Sequence, residues 1–210
     1  MKTFSKSKSL RYAGNRVKLF SIPEFLTFTI REFNLDSVNL ICKINNKFSN
    51  HIVAIRSSAK DEDTKNNSAA GEYESVLNIP SDNTERIIES INIVIASYEK
   101  KRQLLSDDEV IIQEMVKNPT MSGVIFTHDL NTGAPYYVIN YDDQSGTTDT
   151  VTSGNGEYAN RTLYIHRNSI GKLRSERFIK LLQAVQELEQ VMNSKFLDIE
   201  FALDENLTPY

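Results

Sequence analysis

The chain has 210 residues, 40% of them hydrophobic and 25% charged, with a formal net charge of −4. That composition is ordinary for a globular protein of one large domain or two small subdomains, and the acidic balance argues against non-specific nucleic-acid binding as its main role. One cysteine, Cys42, excludes an internal disulfide and fits a reducing cytosol. No apolar run approaches the roughly 20 residues that span a bilayer. The basic start (Lys2, Lys6, Lys8, Arg11, Arg16, Lys18) has no apolar stretch after it, so it does not read as a signal peptide. A cytoplasmic protein with neither a membrane nor a nucleic-acid partner is expected.

In chain order, Leu19 to Thr29 reads as a turn and a strand, with Pro23 near its start. Ser37 is placed to cap a helix carrying Val38, Ile41, Cys42 and Phe48 at helical spacing. Ile52 to Ile55 is a short buried strand, and Asp61 to Gly71 is the densest loop signal. Tyr73 to Ile79 alternates as a strand. Asp82 to Leu105 is the clearest helix of the first half, with Ile87, Ile88, Ile91, Val94, Ile95 and Tyr98 on one stripe. Its basic end, Lys100 to Arg102, suits the negative end of the helix dipole. Strands follow at Val110 to Val116, Gly123 to Thr127, Tyr136 to Tyr141 and Thr162 to His166. Ser175 to Asn193 is a long amphipathic helix, and Phe196 to Leu203 is the last strand. Strands and helices in this mixed order predict an α+β fold. The natural division lies near Ser106 to Glu109, giving subdomains over 1–107 and 108–210.

Four features carry chemistry. Arg56 stands at the end of a β-branched run and is followed by Ser57, Ser58 and an acidic loop. An arginine there is well placed to grip a polyphosphate, because its planar fork matches phosphate oxygens and stays charged. Asp198 and Glu200 alternate onto one face of the last strand, with Leu197, Ile199 and Phe201 on the other. Two such carboxylates suit a nucleotide-bound Mg²⁺, which takes one or two carboxylates plus phosphate oxygens; a solvated strand side has the same spacing. The small polar loop Asn67 to Tyr73, with Ser68, Ala70, Gly71 and Glu72, allows backbone N–H groups close to phosphates, though it is not a Walker A loop and an ordinary loop reads the same. Gln113, Glu114, Met115 and Val116 end an apolar run that is either a core strand or the wall of an adenine pocket. The histidines, His51, His128 and His166, lack ligand spacing, and Cys42 has no partner cysteine, so a zinc site is not expected. His128 reads as part of a turn at a strand end.

Seven segments in order resemble the N-terminal nucleotide-binding domain of the phosphoenolpyruvate synthase and pyruvate phosphate dikinase family. Ser5-Lys-Ser-Lys-Ser-Leu10 resembles "GGKAxxL", Ile22-Pro-Glu-Phe25 resembles "PPGF", and Arg56-Ser-Ser-Ala-Lys-Asp-Glu-Asp63 resembles "RSSAxxED". Ala69 to Asn78 is similar to "FAGQYETFLN", and Gln113-Glu-Met-Val116 resembles "VQRMV". Ser122 to Asp129 resembles "SGVMFTRD", and Asp198-Ile-Glu-Phe-Ala202 resembles "DIEWA". The resemblance implies an ATP-grasp fold of two subdomains with ATP between them and Mg²⁺ as the metal. It implies that Lys6 and Arg56 stabilise phosphate charge and that the 61–73 segment is a lid. It also implies that Gln113 to Val116 hold adenine, while Glu200 with Asp198 holds the metal. In the family, a histidine on a separate swivelling domain takes the phosphoryl group and passes it to an acceptor, releasing AMP and phosphate.

Departures from the family pattern narrow the expectation. Phe4 and Ser5 stand where the family has glycines before its lysine. Asn140 to Gly154 replaces the usual "GLGE" stretch, which points to a specialised member. The family's "ILQxRP", swivelling histidine and acceptor domains are expected to lie outside this chain, leaving it inactive alone. The acceptors expected are glutamine first, phosphorylated on its amide for cell-surface phosphoramidate synthesis, then pyruvate, then rifampicin. A non-catalytic nucleotide-sensing module and a structural α+β domain are the readings from other classes.

Overall fold

The computed structural model describes residues 5–59, 73–148 and 161–210. Contacts divide the chain into two compact units, one of residues 1–12 and 23–115, the other of residues 13–22 and 116–210. Each is built on its own four-stranded antiparallel sheet. The fold is α+β, as the mixed order of elements predicts. Among the described residues, no helix is long and apolar enough to cross a membrane.

In the first unit the sheet order is β1-β4-β2-β3. Its strands are β1 (Phe25–Thr29), β2 (Ile52–Ser58), β3 (Ser75–Pro80) and β4 (Glu109–Glu114). β4 joins this sheet because it pairs with both β1 and β2, so the unit extends through Met115 instead of ending near the 107/108 division read from the sequence. One sheet face carries Leu26, Phe28, Val53, Ile55, Val110 and Ile112 into a core shared with helices α2 (Ile30–Leu35), α3 (Ser37–Lys47) and α4 (Thr84–Lys101). The α4 stripe expected from the sequence is inside: Ile87, Ile91, Val94 and Tyr98 are fully buried. α1 (Lys6–Gly14) has no such stripe in the sequence and was not foreseen.

Local capping explains two differences around α3. Asp36, not Ser37, is the N-cap, its carboxylate accepting the Asn39 N–H. Leu40, Ile41, Ile44 and Phe48 pack into the core while Val38 and Cys42 are exposed, because the apolar stripe that meets the sheet runs through 40, 41, 44 and 48. α2 is opened by a capping box in which Thr29 and Glu32 satisfy each other's backbone N–H groups. Asn78 sits at φ +59 where the pairing of β2 with β3 slips by a residue. Asparagine tolerates that left-handed turn, which gives the bulge its residue.

Tyr98 closes this core. Its hydroxyl accepts the Ser58 N–H at 2.7 Å and donates to the Glu109 carbonyl at 2.7 Å. Ser58 and Glu109 are the last registered pair between β2 and β4, so one buried hydroxyl bridges the end of that ladder.

In the second unit the order is β7-β6-β5-β8. The strands are β5 (Met121–Phe126), β6 (Tyr136–Asp142), β7 (Arg161–His166) and β8 (Asp198–Leu203). Met121, Ile125, Tyr137, Ile139, Phe201 and Leu203 face the long helix α5 (Glu176–Met192), whose Phe178, Leu181, Leu182 and Val185 are buried. Residues 13–22 belong here: Phe20 joins the core, and the Lys18 and Leu19 N–H groups donate to Glu187 on α5. After β8 the chain turns at Asp204, and Tyr210 exchanges backbone hydrogen bonds with Ala202. Gly123 has no room for a side chain, since a Cβ there would lie 2.0 Å from the Asn140 carbonyl oxygen. The glycine of the "SGV" segment is thus required by strand packing.

Tyr98→Phe leaves the Ser58 N–H and the Glu109 carbonyl without this bridge, and is expected to cost about 1–3 kcal/mol. A urea unfolding curve of the variant checks it; an unchanged midpoint contradicts the role given to the hydroxyl.

Candidate functional site

Both sheets are covered by helices on one apolar face, and alternation sends the intervening side chains, polar and apolar, to the other. In the first unit that other face carries Thr29, Glu109 and Ser58 in one row. Thr27, Ile111, Arg56 and Ser75 form the next, and Phe25, Gln113 and Ala54 the third. Arg56 and Gln113 are therefore diagonal neighbours on one face. Arg56 is half-buried there, and its guanidinium Nε is shielded from solvent.

α1 lies on this same face at the Ser58 end. The Ser7 N–H donates to Ser58 Oγ at 3.0 Å, and Ser7 Oγ donates to Glu109 Oε2. Arg11 donates to Glu109 Oε1 at 2.9 Å and also to Thr27 Oγ1. Lys6, the first residue of α1, precedes Ser7, and Arg56 lies two residues before Ser58. The structure thus brings Lys6, Arg56 and Gln113 onto one side of one sheet.

Glu114 belongs to the opposite, helix-facing row, and its carboxylate sits 3.3 Å from His51 Nδ1. Its N–H donates to the Glu24 carbonyl at 2.8 Å, and the Met115 N–H donates to Ile52 at 2.9 Å. Met115 sulfur accepts the Asn78 N–H. Backbone donors at 114 and 115 are therefore engaged inside the protein. Ser68, Ala70, Gly71 and Glu72 lie outside the described residues, as does nearly all of the 61–73 segment.

In the second unit the open face carries Glu200, Val124, Asn140 and Thr162 in one row, and Asp198, Phe126, Val138 and Tyr164 in the next. Asp198 and Glu200 are both exposed at alternate positions on one face, with Ile199 and Phe201 turned to the core. Thr162 Oγ1 donates to Asn140 Oδ1 at 2.8 Å. Among the described residues, no group of three or more His, Cys, Asp or Glu could hold a metal ion. Two carboxylates with a nucleotide's phosphates remain a fitting Mg²⁺ donor set, since that ion keeps part of its shell from water and phosphate.

His128 lies outside these faces. Its ring stacks on Phe196 at 4.4 Å, and Nδ1 is 2.7 Å from the Lys195 carbonyl. Asp129 closes the β5–β6 hairpin by accepting from Asn131 and Thr132, and those hydrogen bonds hold its pKa below the usual value. A buried cluster stands on the helix side: Arg167 forms a two-pronged pair with Glu189 at 2.7 Å, and Glu189 accepts from Tyr137 at 3.0 Å. Arg167 and Glu189 border an open cavity of about 610 Å³ lined also by Gln186, Asn193 and Lys195 among others. The cluster is on the opposite side of the sheet from Glu200.

Three contributors were not legible from the motifs: Ser7, Arg11 and Glu109. Glu109 was within reach, since it stands two and four residues before Ile111 and Gln113 and therefore shares their face once β4 begins at 109.

The AMP/ATP-binding domain model of pyruvate phosphate dikinase matches residues 8–141, more than half of the chain. The chain belongs to this family. No curated protein matches it. Among solved structures it is similar to D-alanyl-alanine synthetase A from Vibrio cholerae, with 16% identity and a TM-score of 0.53 over 99% of this chain and 52% of the other. It is also similar to VanG D-Ala:D-Ser ligase from Enterococcus faecalis, with 13% identity and a TM-score of 0.50 over 97% and 49%. The protein PH1788 from Pyrococcus horikoshii Ot3 aligns with 15% identity and a TM-score of 0.52 over 99% and 87%. The chain spans about half the length of the two ligases. These likenesses establish the ATP-grasp fold for this member of the dikinase family.

Tyr137 yields the pH prediction of this region. Burial first, and then the Glu189 carboxylate, push its phenol up to about 12. In the unfolded chain a tyrosine ionises near ~10. The stabilisation is fully present below pH ~10 and is lost as pH rises through about 12, because the unfolded state gives up its proton first. Tyr137→Phe is expected to flatten that part of the alkaline unfolding profile; an unaltered slope between pH ~10 and ~12 contradicts it.

Proposed function

We propose that this chain binds Mg-ATP and is the nucleotide-binding part of a dikinase-type phosphotransferase. Arg56 and Lys6 bind and neutralise phosphate oxygens. Gln113 to Val116 bind adenine, with the 67–73 segment (Ser68, Ala70, Gly71, Glu72) covering the phosphates. Asp198 and Glu200 hold Mg²⁺, which when bound draws charge from the phosphate oxygens. Positioning and charge neutralisation are most of what a protein contributes to phosphoryl transfer. The observation that supports the reading is that α1, which begins at Lys6, docks through Ser7 on the sheet face that carries Arg56 and Gln113, opposite the helices α2 to α4.

In the complete reaction, the phosphoryl group passes to a histidine on a separate swivelling domain and then to a small-molecule acceptor, with AMP and phosphate released. Glutamine is the acceptor proposed, phosphorylated on its amide nitrogen for cell-surface phosphoramidate synthesis. The motive is the replacement of the family's "GLGE" by the Asn140 to Gly154 stretch, which departs from the pyruvate-using members. The working compartment proposed is the cytoplasm, where ATP is available.

Removing the guanidinium in Arg56→Ala is expected to weaken Mg-ATP binding by about tenfold or more, the size of one charge-assisted phosphate contact. Calorimetric titration measures it, and equal affinity in variant and wild type sinks the phosphate role. Phosphorus NMR of the natural polypeptide with Mg-ATP, offered glutamine and pyruvate separately, tests the acceptor. AMP, phosphate and a phosphoramidate resonance are expected with glutamine; a phosphorylated product with pyruvate instead refutes glutamine.

A further inference from the structure

Glu109 is held from both sides of the first sheet. On the core side its carbonyl accepts the Tyr98 hydroxyl. On the open side its carboxylate grips α1 at two points one turn apart, taking Ser7 Oγ on Oε2 and Arg11 on Oε1 at 2.9 Å. Arg11 also donates to Thr27, and Ser7 is tied to Ser58 through its N–H. Ser5 Oγ lies 3.2 Å from Ser7 Oγ, which extends the hydroxyl chain to the start of the helix. The Glu109 side chain is only 17% exposed and Ser7 is fully buried, so water competes weakly for these bonds.

Lys6 sits between the two serines, on the first residue of this helix. A helix of nine residues is too short to hold itself in water and relies on its docking. What fixes the Lys6 Cα relative to the Arg56 strand is therefore the clamp on Ser7 and Arg11. A lysine's ammonium rides on a flexible stem, so the anchoring of its backbone sets how much freedom is lost when it meets a phosphate.

We propose that Glu109 is a positioning residue for Lys6: it touches no nucleotide, but locks the first turn of α1 so that the ammonium is presented beside Arg56. The inference rests on the nucleotide-binding reading above and goes beyond it by assigning Glu109, Ser7 and Arg11 a role in phosphate affinity. Loss of Glu109 is then felt through Lys6 and through the outer phosphates, not through the base.

The test is calorimetric titration of the 210-residue chain with Mg-ATP and, separately, with AMP, which lacks the β- and γ-phosphates. Glu109→Ala is expected to weaken Mg-ATP by about tenfold while AMP affinity stays within about twofold. Glu109→Gln, which still accepts from Ser7, is expected to recover most of the loss. In a double-mutant cycle, Lys6→Ala is expected to cost almost nothing further once Glu109 is alanine. Equal losses for ATP and AMP, or additive costs in the cycle, overturn the proposal. Should Glu109→Ala fail to fold, Arg11→Met removes one arm of the clamp at an exposed position and enters the same cycle with the same criteria. A wild-type chain that binds neither nucleotide refutes the nucleotide-binding reading itself, and that outcome is distinct from a wild type that binds and a variant that does not differ.

Discussion

The joint between Ser58 and Glu109 governs the first unit. It is the last registered pair of β2 and β4, and a strand pair that simply ended there would expose two backbone groups inside a core. Tyr98 fills the gap from α4 with a hydroxyl that both accepts and donates. Because those two backbones are held from below, their side chains can serve the other face, where Ser58 takes the Ser7 N–H and Glu109 takes Ser7 and Arg11. The core and the docking of α1 are thus coupled through one residue pair. Arg56, two residues before Ser58, inherits its position from the same joint.

The second unit meets the same need with different chemistry. Arg167, paired in two-pronged fashion with Glu189, also donates to the Thr127 carbonyl at 2.8 Å. Thr127 Oγ1 then donates to Lys195 and accepts the Leu197 N–H at 2.8 Å. Leu197 immediately precedes Asp198, so a chain of hydrogen bonds runs from the ion pair to the residue that leads into β8. The pair by itself is weak evidence for stability, since desolvating both charges offsets much of their attraction. Its clearer effect is geometric, because it fixes the strand end from which both acidic side chains project.

One-sided sheets explain how so little identity can preserve this fold. At 13–16% identity with the ligases, most aligned positions carry different side chains. What survives is the requirement that one face of each sheet be apolar and covered by helices, which many combinations of Ile, Val, Leu and Phe satisfy. The other face is mixed: in the first unit Arg56 and Gln113 share it with the buried Ile111 and Ala54, and α1 docks on it. The candidate residues stand at positions that the helix-covered core does not use.

Much of this was decided locally and was readable. The α4 stripe, the Asp198 and Glu200 alternation and the strands from Gly123 onward depend on periods of 3.6 and 2, which are properties of the chain alone. The family motifs were readable for the same reason, each being a short local run. α1 was not readable, because Lys6 to Gly14 has no apolar stripe and becomes helical by docking Ser7 and Arg11 on residues about a hundred positions away. The placement of β4 was not readable either: its own sequence is compatible with either half, and only pairing with β1 and β2 assigns it. The sequence alone determined which residues could alternate, cap or carry charge. Tertiary structure alone decided which of them meet, because strand pairing and helix docking join residues whose separation no local period records.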